Sequence, residues 1–395
     1  MNVLFIVDGS LSNPVLSSQG IPHINENSKK GVNFYVLSFE DMDFLHQSPE
    51  ARKRYRDAKN ELRNYARIYS INSKLGVKFR AIRLLIRGIW MGTKIVKKNK
   101  IDIIHGRSNL PSLIALFIKK YLKIKVLYDN RGLLSDEIEK RNRLRIKIEI
   151  GIEKYLLKKS DAIVVVSNAF KKYLCNKYYS YNLSNKVTVI ENSFSERRFI
   201  YSEQLRVQKR NEHNLEGKFI MVYSGPSVYW QRFDLILKTF KILKELRNDA
   251  YFLVISYDPK IYEMVLNAGI DNKDFSVYNL PASEVNQYLI SGDFGVIYRD
   301  DRIRSKVCAP IKLGEYLASG LPILSMNGIG DTDIILNKYK TGVIIENEKD
   351  IKDKLLEIMD LVKDPDIRVK CRKTAEENLS LKICSSKYLK IYTEI

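Results

Sequence analysis

The segment Ser305–Ser325, SKVCAPIKLGEYLASGLPILS, constrains the fold more tightly than any other part of the chain. A polar loop leads to Ala309-Pro310, a helical stretch follows from Ile311 to Ala318, and Ser319-Gly320 ends it just before an apolar strand. Proline suits the first helical position, where its missing N–H is not needed, and glycine suits the position just after a helix. The segment therefore predicts a loop, a capped helix and a strand in that order, as in an α/β domain.

The first turns of this helix carry two side chains that suit a nucleotide. Lys312 and Glu315 lie three residues apart, so they share one face of the helix. The unpaired N–H groups and the positive dipole end of a helix N-terminus attract anions. A lysine there can hold a phosphate, and a carboxylate can accept two hydrogen bonds from hydroxyl groups, such as those of a ribose. A capped helix with a surface Lys–Glu pair and no ligand would show the same pattern.

The string P-x-K-x-x-E-Y-x-x-x-G-x-P, which starts at Pro310, resembles the donor-site signature of GT-B glycosyltransferases, specifically their GT4-like retaining group. The resemblance implies that Glu315 holds the ribose of a nucleotide sugar and that Pro310, Lys312 and Leu313 also contact this donor. The family often has a second glutamate eight residues earlier, where this chain has Val307. This departure affects the contact to the donor sugar and leaves the ribose contact intact.

Length and composition indicate a soluble globular protein of two or three domains. The chain has 395 residues, of which 45% are hydrophobic and 29% are charged. No apolar run reaches the roughly 18 residues of a membrane span, and the start, MNVLFIVDGS, has no basic region typical of a signal peptide. The four cysteines are far apart and form no CxxC pair, so we predict neither a zinc site nor a disulfide framework, and a cytoplasmic setting.

The two halves of the chain differ in charge. Residues 1–200 hold 38 Lys or Arg and 18 Asp or Glu, whereas residues 201–395 hold 29 and 28. The densest basic block, Arg52–Lys100, has 16 basic and two acidic residues. Such a face attracts polyanions. We expect an anionic membrane surface at the inner face of the cell membrane and no nucleic acid, because no signature of a nucleic-acid-binding module appears. A lysine-rich surface without a partner would also fit the charge.

Short apolar runs followed by polar loops predict a parallel sheet in the first half of the chain. The run DAIVVVS at 161–167 has the continuous apolar character of a strand covered on both faces. Ligands bind beyond the carboxyl ends of such strands. The loop after the first strand resembles the loop that lines the acceptor cleft of GT4-like enzymes. The polar residues that these loops and strand ends contribute are Ser18, Gln19, Arg107, Asp129 and Arg131.

Asp129 and Arg131 belong to a D-x-R-G string that is followed by Asp136-Glu137 and resembles a sub-group of GT4-like polysaccharide glycosyltransferases. We predict that Asp129 and Arg131 lie near the reacting centre, and that Ser18, Gln19 and Arg107 bind the acceptor. His105, at the end of an earlier strand, is expected to be a structural histidine with satisfied hydrogen bonds.

Two long helices are predicted at Arg52–Asn72 and Phe79–Lys100. The main expectation for the apolar side of the second helix is packing on the sheet, and partial entry into a membrane interface is the alternative. Residues with helical apolar spacing on this second helix are Ile82, Leu85, Ile86, Ile89, Trp90 and Ile95.

A second α/β series begins at Lys218. Its first strand ends in Gly225-Pro226-Ser227, and a glycine turn at such a place lets the backbone approach a pyrophosphate. The turn resembles the G-x-n-K/R turn of GT4-like enzymes, which implies that Arg232 neutralises the donor diphosphate. The resemblance also assigns Gly225, Ser227 and Tyr278 to donor binding, with the segment around Tyr278 at the nucleobase. The cationic loop Arg299–Lys306 is either part of the donor site or a solvated loop.

Two D-x-D strings, Asp41-Met42-Asp43 and Asp331-Thr332-Asp333, have the spacing of a divalent-metal site. The second string follows glycines and precedes an apolar run, so it predicts a helix N-terminus with Asp331 as the N-cap, which needs no metal. We predict no required metal.

These observations predict an α/β protein of GT-B fold, with two Rossmann-like domains and parallel sheets that face across a cleft. The predicted parts are a basic acceptor domain at 1–200, a linker at 201–216, a nucleotide-sugar domain at 217–378, and a terminal helix at 379–395 that crosses back to the first domain.

The resemblance implies a metal-independent hexosyl- or related glycosyltransferase of class EC 2.4. It would move a sugar, with retention, from a UDP- or GDP-linked donor to a lipid-linked or saccharide acceptor in cell-surface polysaccharide or glycolipid synthesis. Arg232 and Lys312 would offset the diphosphate charge. No cofactor is implied, because the nucleotide sugar is a co-substrate. A nucleotide-sugar epimerase of GT-B fold and a non-enzymatic polyanion-binding protein remain alternatives.

Overall fold

The structure, a computed structural model, describes residues 1–7, 9–73, 80–133 and 143–395. These residues form two compact units. Unit 1 contains Met1–Glu191 and Leu381–Ile395, and unit 2 contains Asn192–Ser380. The structure therefore assigns residues 192–200 and the predicted linker at 201–216 to unit 2.

The described residues of unit 1 contain a seven-stranded parallel sheet in the order β3-β2-β1-β4-β5-β6-β7. Its strands are β1 Asn2–Ile6, β2 Asn33–Glu40, β3 Ala66–Asn72, β4 Ile103–Arg107, β5 Lys125–Asn130, β6 Ala162–Val165 and β7 Val187–Val189. Its helices are α1 Pro14–Gln19, α2 Ile21–Ser28, α3 Met42–Gln47, α4 Pro49–Arg63, α5 Arg80–Asn99, α6 Asn109–Leu122, α7 Arg143–Lys159 and α8 Asn168–Lys177.

Unit 2, which is described throughout, contains a six-stranded parallel sheet in the order β10-β9-β8-β11-β12-β13. Its strands are β8 Phe219–Ser224, β9 Ala250–Ile255, β10 Phe275–Tyr278, β11 Phe294–Ile297, β12 Ile323–Met326 and β13 Gly342–Ile345. Its helices are α9 Glu203–Glu212, α10 Phe233–Leu246, α11 Ile261–Asn267, α12 Val285–Leu289, α13 Ile303–Val307, α14 Ile311–Ala318, α15 Thr332–Tyr339, α16 Ile351–Leu361 and α17 Ile367–Leu379. The last helix of the chain, α18 Leu381–Glu394, belongs to unit 1.

Both units are doubly wound α/β sheets, as the sequence predicts. The strand order reverses between β1 and β4 in unit 1 and between β8 and β11 in unit 2. At such a reversal the loops that follow the two central strands diverge, and the crevice between them is the usual ligand site. The apolar run at 161–167 forms β6, whose residues are all buried, so the prediction of a strand covered on both faces is confirmed.

The prediction of one helix from Arg52 to Asn72 is wrong in its second part. The helix α4 ends at Arg63, and β3 then pairs in parallel with β2 along its full length, from Phe34↔Ala66 to Glu40↔Asn72. Isoleucine and tyrosine in the segment ARIYSIN favour an extended strand. Because β3 lies at the edge of the sheet, most of its residues are only partly buried, and the sequence lacks the apolar run of an inner strand.

Two further expectations need correction. The stretch 201–216, predicted to be an irregular linker, contains α9, whose N-terminus is capped by the Ser202 side chain accepting from Leu205 N. The apolar stripe of α5 does not pack on the sheet as a whole, because Ile82, Ile86 and Trp90 are exposed. The buried residues of α5 are Leu84, Gly88, Gly92, Ile95 and Val96.

The close approach of β4 and α6 depends on a glycine, and this gives a test of the unit 1 core. A Cβ added at Gly106 would lie 2.5 Å from the Cα and 2.6 Å from the N of Ser112. Because these are backbone atoms, they cannot move aside as a side chain would. We expect Gly106→Ala to lower the free energy of unfolding by about 1–3 kcal/mol.

The measurement is thermal and urea unfolding of the full chain. The matched control is Gly151→Ala on α7, where an added Cβ meets no atom within 4 Å, so its stability should be unchanged or slightly higher. Equal stability of Gly106→Ala and Gly151→Ala would contradict the packing described for β4 and α6.

Candidate functional site

The candidate site of unit 2 lies at the carboxyl edge of its sheet, where the strand order reverses. The loop after β8 begins at Gly225, and the loop after β11 contains Arg299. The helix α14, predicted at the same bounds, follows that second loop. Three elements that are separate in sequence therefore bring their chemical groups to one edge.

The helix α14 begins and ends at the predicted residues, and only the role of Pro310 differs. Pro310 occupies the N-cap position instead of the first helical position. Gly320, with a φ of 75°, follows the C-cap in the left-handed conformation that favours glycine, and an added Cβ there would lie 2.7 Å from the ring of Tyr201. The preceding loop is held by Asn192, whose amide donates to the Ala309 carbonyl at 2.5 Å.

Lys312 is a buried cation at the start of α14. Its Nζ lies 3.1 Å from Oε1 of the buried Gln231 and 4.3 Å from the ring centre of Tyr223. Burial and repulsion from Arg299 hold the pKa of Lys312 well below its usual value, and attraction to Glu315 offsets only part of this. An uncharged amide and a ring face stabilise an ammonium less than a carboxylate does, so the site favours an incoming anion.

Arg299 is the second cation of this site. Its charge acts on Lys312, Tyr223 and Cys308. Its Nε is buried and has no hydrogen-bond partner within the part of the chain that the structure describes. Burial of an unpaired polar group is unfavourable. An anion bound between Arg299 and Lys312 would supply the missing acceptor.

Glu315 lies one turn further along α14. Burial raises its pKa to about 7, although the charges of Lys312 and Arg198 act in the opposite direction. Near neutral pH the carboxyl group is thus close to the midpoint of its titration, and hydrogen bonds donated to it would favour its ionised form.

The turn after β8 brings backbone close to Lys312. Gly225 has a φ of 138°, and an added Cβ would lie 3.3 Å from Lys312 Nζ. Ser227 is fixed because its N donates to Asp258 Oδ2 at 3.0 Å and its hydroxyl also bonds that carboxylate. The base of the turn is held by Tyr316 of α14, whose hydroxyl accepts from Ser224 N at 2.7 Å.

Arg232 has its guanidinium paired with carboxylates of unit 2. Its guanidinium donates to Asp234 and, at 2.8 Å, to Glu348, and its backbone is left-handed with a φ of 46°. The neighbouring residue that reaches Lys312 is Gln231. Two carboxylates already neutralise Arg232, so its charge is less available to a diphosphate.

The remaining predicted donor residues form the surroundings of the site. Leu313 is buried in a core cluster of unit 2. Tyr278 is partly buried, and its ring centre lies 4.5 Å from that of Tyr288. Its carbonyl oxygen accepts from Ser256 N at 2.8 Å, which joins the ends of β9 and β10.

The D-x-D strings lie at helix N-termini. Asp41 is the N-cap of α3 and its carboxylate accepts from Phe44 N at 3.0 Å, and Asp331 occupies the N-cap position of α15. Within residues 1–7, 9–73, 80–133 and 143–395, no group of three or more His, Cys, Asp or Glu side chains is placed to hold a metal ion.

The predicted residues Asp129 and Arg131 lie in a buried network of unit 1. Asp129 Oδ2 accepts from Arg107 at 3.2 Å and from the Tyr388 hydroxyl at 3.1 Å, while Oδ1 accepts from Arg131 at 3.4 Å. Burial alone would raise the pKa of Asp129, but the charges of Arg131 and Arg107 and the hydrogen bond from His105 hold it well below its usual value. The carboxylate is fully buried and its lone pairs are occupied, so it is poorly placed to act as a base.

Two histidines join this network to α18. His105 Nδ1 lies 2.7 Å from the Tyr392 hydroxyl and its Nε2 lies 3.3 Å from Asp129, so both ring nitrogens are partnered, as expected. His23 Nδ1 lies 2.8 Å from the Ser385 hydroxyl. Burial lowers the pKa of His105, and it lowers the pKa of His23 to about 3, so both rings are neutral at pH 7.

A small recess opens beside this network at the strand-order reversal of unit 1. Its lining includes Gln19, His23, His105 and Arg107. The structure therefore brings together two of the three predicted acceptor residues. Ser18 is instead turned to its own helix, where its hydroxyl donates to the Val15 carbonyl at 3.3 Å. The predicted Asp136-Glu137 motif lies outside the described residues.

The sequence indicates Arg299 only as a member of the cationic loop Arg299–Lys306, and it does not indicate Gln231. The signal for Arg299 is its place directly after a buried strand and before the helix with the Lys–Glu pair. Gln231 gives no such signal in the sequence, because it is a neutral amide next to an arginine. Only the structure shows that Gln231, and not Arg232, lies against Lys312.

Two family models match separate parts of the chain. The family model described as Glycosyltransferase Family 4 matches residues 27–198, and the model described as Glycosyl transferases group 1 matches residues 206–378. No curated protein matches the chain significantly.

Several solved structures are similar. A glycosyltransferase from Rickettsia africae is 19% identical, with 100% of this chain and 98% of that chain covered and a TM-score of 0.72. Anabaena HepE in complex with UDP and glucose is 9% identical, with 100% of both chains covered and a TM-score of 0.71. A putative UDP-N-acetylglucosamine 2-epimerase from Listeria monocytogenes is 10% identical, with 98% and 94% covered and a TM-score of 0.56. At these identities the likeness concerns the fold.

The Asp129 network predicts a large effect on stability. Asp129→Asn would remove the carboxylate that pairs with the buried guanidinium groups of Arg107 and Arg131, and removal of one partner from a buried ion pair typically destabilises by about 3–5 kcal/mol. In the wild type, the depressed pKa means that this stabilisation is present above the unfolded-state pKa of about 3.9 and is lost as the pH falls below it.

Unfolding by urea at pH 7 and pH 3 measures both effects. The control is Asp57→Asn, which neutralises an exposed carboxylate of α4 in the same unit and should change little. Equal stabilities of the two variants at pH 7 would show that the network does not carry the expected energy.

The raised pKa of Glu315 predicts that its contribution to stability falls as the pH rises, which is opposite to the effect of Asp129. The folded-state pKa of Glu315, about 7, lies above the unfolded value of about 4.3. The folded state therefore binds more protons between these values, and the stability contribution of Glu315 is lost as the pH rises through 7. We expect Glu315→Gln to gain stability relative to the wild type between pH 5 and pH 8, because most of the loss in the wild type falls between these two pH values.

Thermal unfolding of the ligand-free protein at both pH values is the measurement. Glu263→Gln, which changes an exposed carboxylate on α11, serves as the control and should follow the wild type at both. A gain at pH 8 that persists unchanged at pH 5 would contradict the raised pKa.

Proposed function

We propose that the chain, which belongs to the GT4-like, group 1 family of GT-B glycosyltransferases, transfers a hexose or related sugar to an acceptor hydroxyl. Because this family uses nucleotide sugars as donors, the proposed donor is UDP- or GDP-linked. The proposed transfer proceeds with retention and without a metal. The GT-B fold predicted from the sequence is confirmed by the two parallel-sheet α/β units and the structural likenesses. The observation that carries the proposal is the pair of cations at the strand-order reversal of unit 2, the buried Lys312 and the half-buried Arg299, whose Nε is buried.

In the proposed site, the donor diphosphate lies against Lys312 and Arg299. The bond between the anomeric carbon and the diphosphate oxygen breaks, the acceptor oxygen bonds to that carbon, and the proton of the acceptor hydroxyl passes to the leaving diphosphate. Negative charge grows on the leaving diphosphate, and preorganised cations in a buried site stabilise that charge. The backbone of Gly225 and Ser227 approaches the same phosphates, which a side chain at Gly225 would obstruct.

Glu315 accepts the hydrogen bonds of the ribose hydroxyls. Its place one turn after Lys312 suits a ribose next to a phosphate, since residues three apart share a helix face. Pro310, Leu313 and Tyr278 shape the neighbouring surface for the nucleoside. Arg232 would have to leave Asp234 and Glu348 to reach a phosphate, so we assign it a smaller share of the diphosphate binding.

Unit 1 is proposed to bind the acceptor. Gln19 and Arg107 line its recess and offer an amide and a guanidinium for hydroxyl or phosphate groups, with Ser18 nearby in sequence. Asp129 and Arg131 are proposed to be positioning residues, because Asp129 orients Arg107 through a hydrogen bond. We name no protein nucleophile or general base.

The acceptor is proposed to be lipid-linked or a saccharide, in synthesis of cell-surface polysaccharide or glycolipid. The excess of 38 basic over 18 acidic residues in residues 1–200 supports a cytoplasmic enzyme that works at an anionic membrane surface. Among the described residues, no helix is long and apolar enough to cross a membrane.

Nucleotide binding tests the donor site. We expect titration calorimetry to show micromolar binding of either UDP or GDP, and at least a tenfold loss of affinity in Glu315→Ala and in Arg299→Ala. Arg232→Ala should lose less than Arg299→Ala, because its charge is already paired. Glu263→Ala, on the exposed face of α11, is the matched control and should bind as the wild type does.

Absence of binding by any nucleoside diphosphate to folded protein would refute the donor site. Where binding is found, the product analysis separates two reactions. Transfer to an added saccharide or lipid-linked acceptor supports the proposal, whereas conversion of the donor into an epimer without an acceptor would establish the alternative of a GT-B epimerase.

A further inference from the structure

The outward side of α5 carries a line of exposed apolar side chains. Ile82, Ile86 and Trp90 are 55%, 62% and 56% exposed. They lie four residues apart, so they form one continuous line along the helix. Single exposed apolar residues are common on protein surfaces, but a contiguous set marks an interaction site.

The exposed line is not a misplaced core face, because α5 buries its opposite side. An added Cβ at Gly88 would lie 2.5 Å from the side chain of Ile114, and one at Gly92 would lie 2.6 Å from that of Ile118. The two glycines thus allow α5 to lie close against α6. Because the inner side of α5 is packed in this way, its packing does not require the three large apolar residues on the outer side.

The rest of the outer surface of α5 is basic. The helix holds six Lys or Arg and no Asp or Glu. At about 100° per residue, the apolar line covers roughly 80° of arc, and Arg83, Lys94 and Arg87 follow directly beside it. Lys94 also places its Nζ 3.6 Å from the ring centre of Trp90. A buried side, an apolar strip and a basic strip on one helix are the pattern of a helix that lies in a membrane interface.

The neighbouring helices extend the same character. The helices α5, α6 and α7 pack side by side, and together they hold 14 Lys or Arg and 2 Asp or Glu. On α6, Tyr121 is 72% exposed, and on α7, Ile148 is 54% exposed. The positive charge and the exposed apolar groups are therefore spread over a layer and are not confined to one helix.

We propose that this α5 face, defined as Ile82, Ile86 and Trp90 with Arg83, Arg87 and Lys94, binds an anionic phospholipid bilayer, with the apolar line entering the interface. The cations attract anionic headgroups, and tryptophan and isoleucine suit the boundary between headgroups and acyl chains. A second copy of the chain is a poor occupant, because two such faces would repel each other. A nucleic acid would leave the apolar line without a partner.

The proposal deepens the membrane part of the proposed function. It assigns the face that meets the membrane and does not depend on which sugar is transferred.

Binding to vesicles tests the α5 face. The full chain is sedimented with vesicles of phosphatidylcholine alone or mixed with phosphatidylglycerol, at low and high salt. We expect binding to the mixed vesicles that weakens at high salt, and at least a tenfold loss in the triple variant Ile82→Ser, Ile86→Ser, Trp90→Ser. The matched control replaces three exposed apolar residues of unit 2 with serine, at Ile334, Leu356 and Val369, which are 60%, 47% and 61% exposed. This control should bind as the wild type does.

A second variant set tests the charges. Replacement of the cations of the α5 face, Arg83, Arg87 and Lys94, with glutamine should weaken binding several-fold and reduce its salt dependence. Replacement of Lys273, Lys363 and Lys373, whose side chains are 77%, 75% and 73% exposed, should have little effect.

The fluorescence emission of Trp90 reports directly whether the α5 face enters the bilayer. The chain has two tryptophans, Trp90 and Trp230, so Trp230→Phe leaves Trp90 as the single reporter. Its emission should shift to shorter wavelength with the mixed vesicles and stay unchanged with phosphatidylcholine alone.

Four outcomes would overturn the proposal: no binding of the wild type to anionic vesicles, equal loss in the unit 2 control, an unchanged Trp90 emission, or a dimer in light scattering that the triple serine variant abolishes. Binding of duplex DNA that falls equally in that variant would assign the face to nucleic acid instead.

Nucleotide titration of the same triple variant distinguishes the membrane proposal from the donor-site proposal. Intact nucleotide binding without any vesicle binding by the wild type refutes the membrane face alone, and the reverse refutes the donor site alone.

Discussion

A buried positive charge without a matching carboxylate is the feature on which the unit 2 site depends. Lys312 faces an amide and an aromatic ring, and Arg299 adds a second cation whose Nε has no hydrogen-bond partner among the described residues. Desolvation of an uncompensated charge is unfavourable, and the low pKa of Lys312 reflects it. The surrounding fold keeps this arrangement in place through the parallel sheet, the Tyr316 hydrogen bond and the caps of α14. A diphosphate would remove the penalty, so the energy stored in the free protein becomes affinity for the ligand.

In unit 1, by contrast, the buried cations are paired with a buried carboxylate. There the cations Arg107 and Arg131 surround Asp129, and the aromatic hydroxyls of α18 complete the network. The charge is compensated inside the protein, so this part of the structure stabilises the fold and holds α18, while Arg107 at its margin remains accessible to the recess. The two units therefore share a strand order but use the loops at its reversal differently.

The two sides of the helix α5 differ in the residues that they carry. Glycines on one side let it pack against α6, and isoleucines and a tryptophan stand on the other side. From the sequence alone, all of these apolar residues fit a helical stripe, and a stripe is usually a core face. The pattern cannot show that the core side is made by small residues, because glycine has no hydropathy signal of its own.

Sequence by itself determined the fold class, the bounds of α14, and the placement of Lys312 and Glu315 on one helix, because periodicity, caps and short apolar runs are local properties. It did not determine that Ala66–Asn72 is an edge strand or that Glu203–Glu212 is a helix, since weakly apolar segments take their structure from the partners beside them. Only the tertiary structure decided that Gln231, and not Arg232, faces Lys312, and that Asp129 is enclosed by two arginines and a tyrosine from the end of the chain. Side-chain direction and charge compensation depend on residues far apart in sequence, and these become neighbours only when the chain has folded.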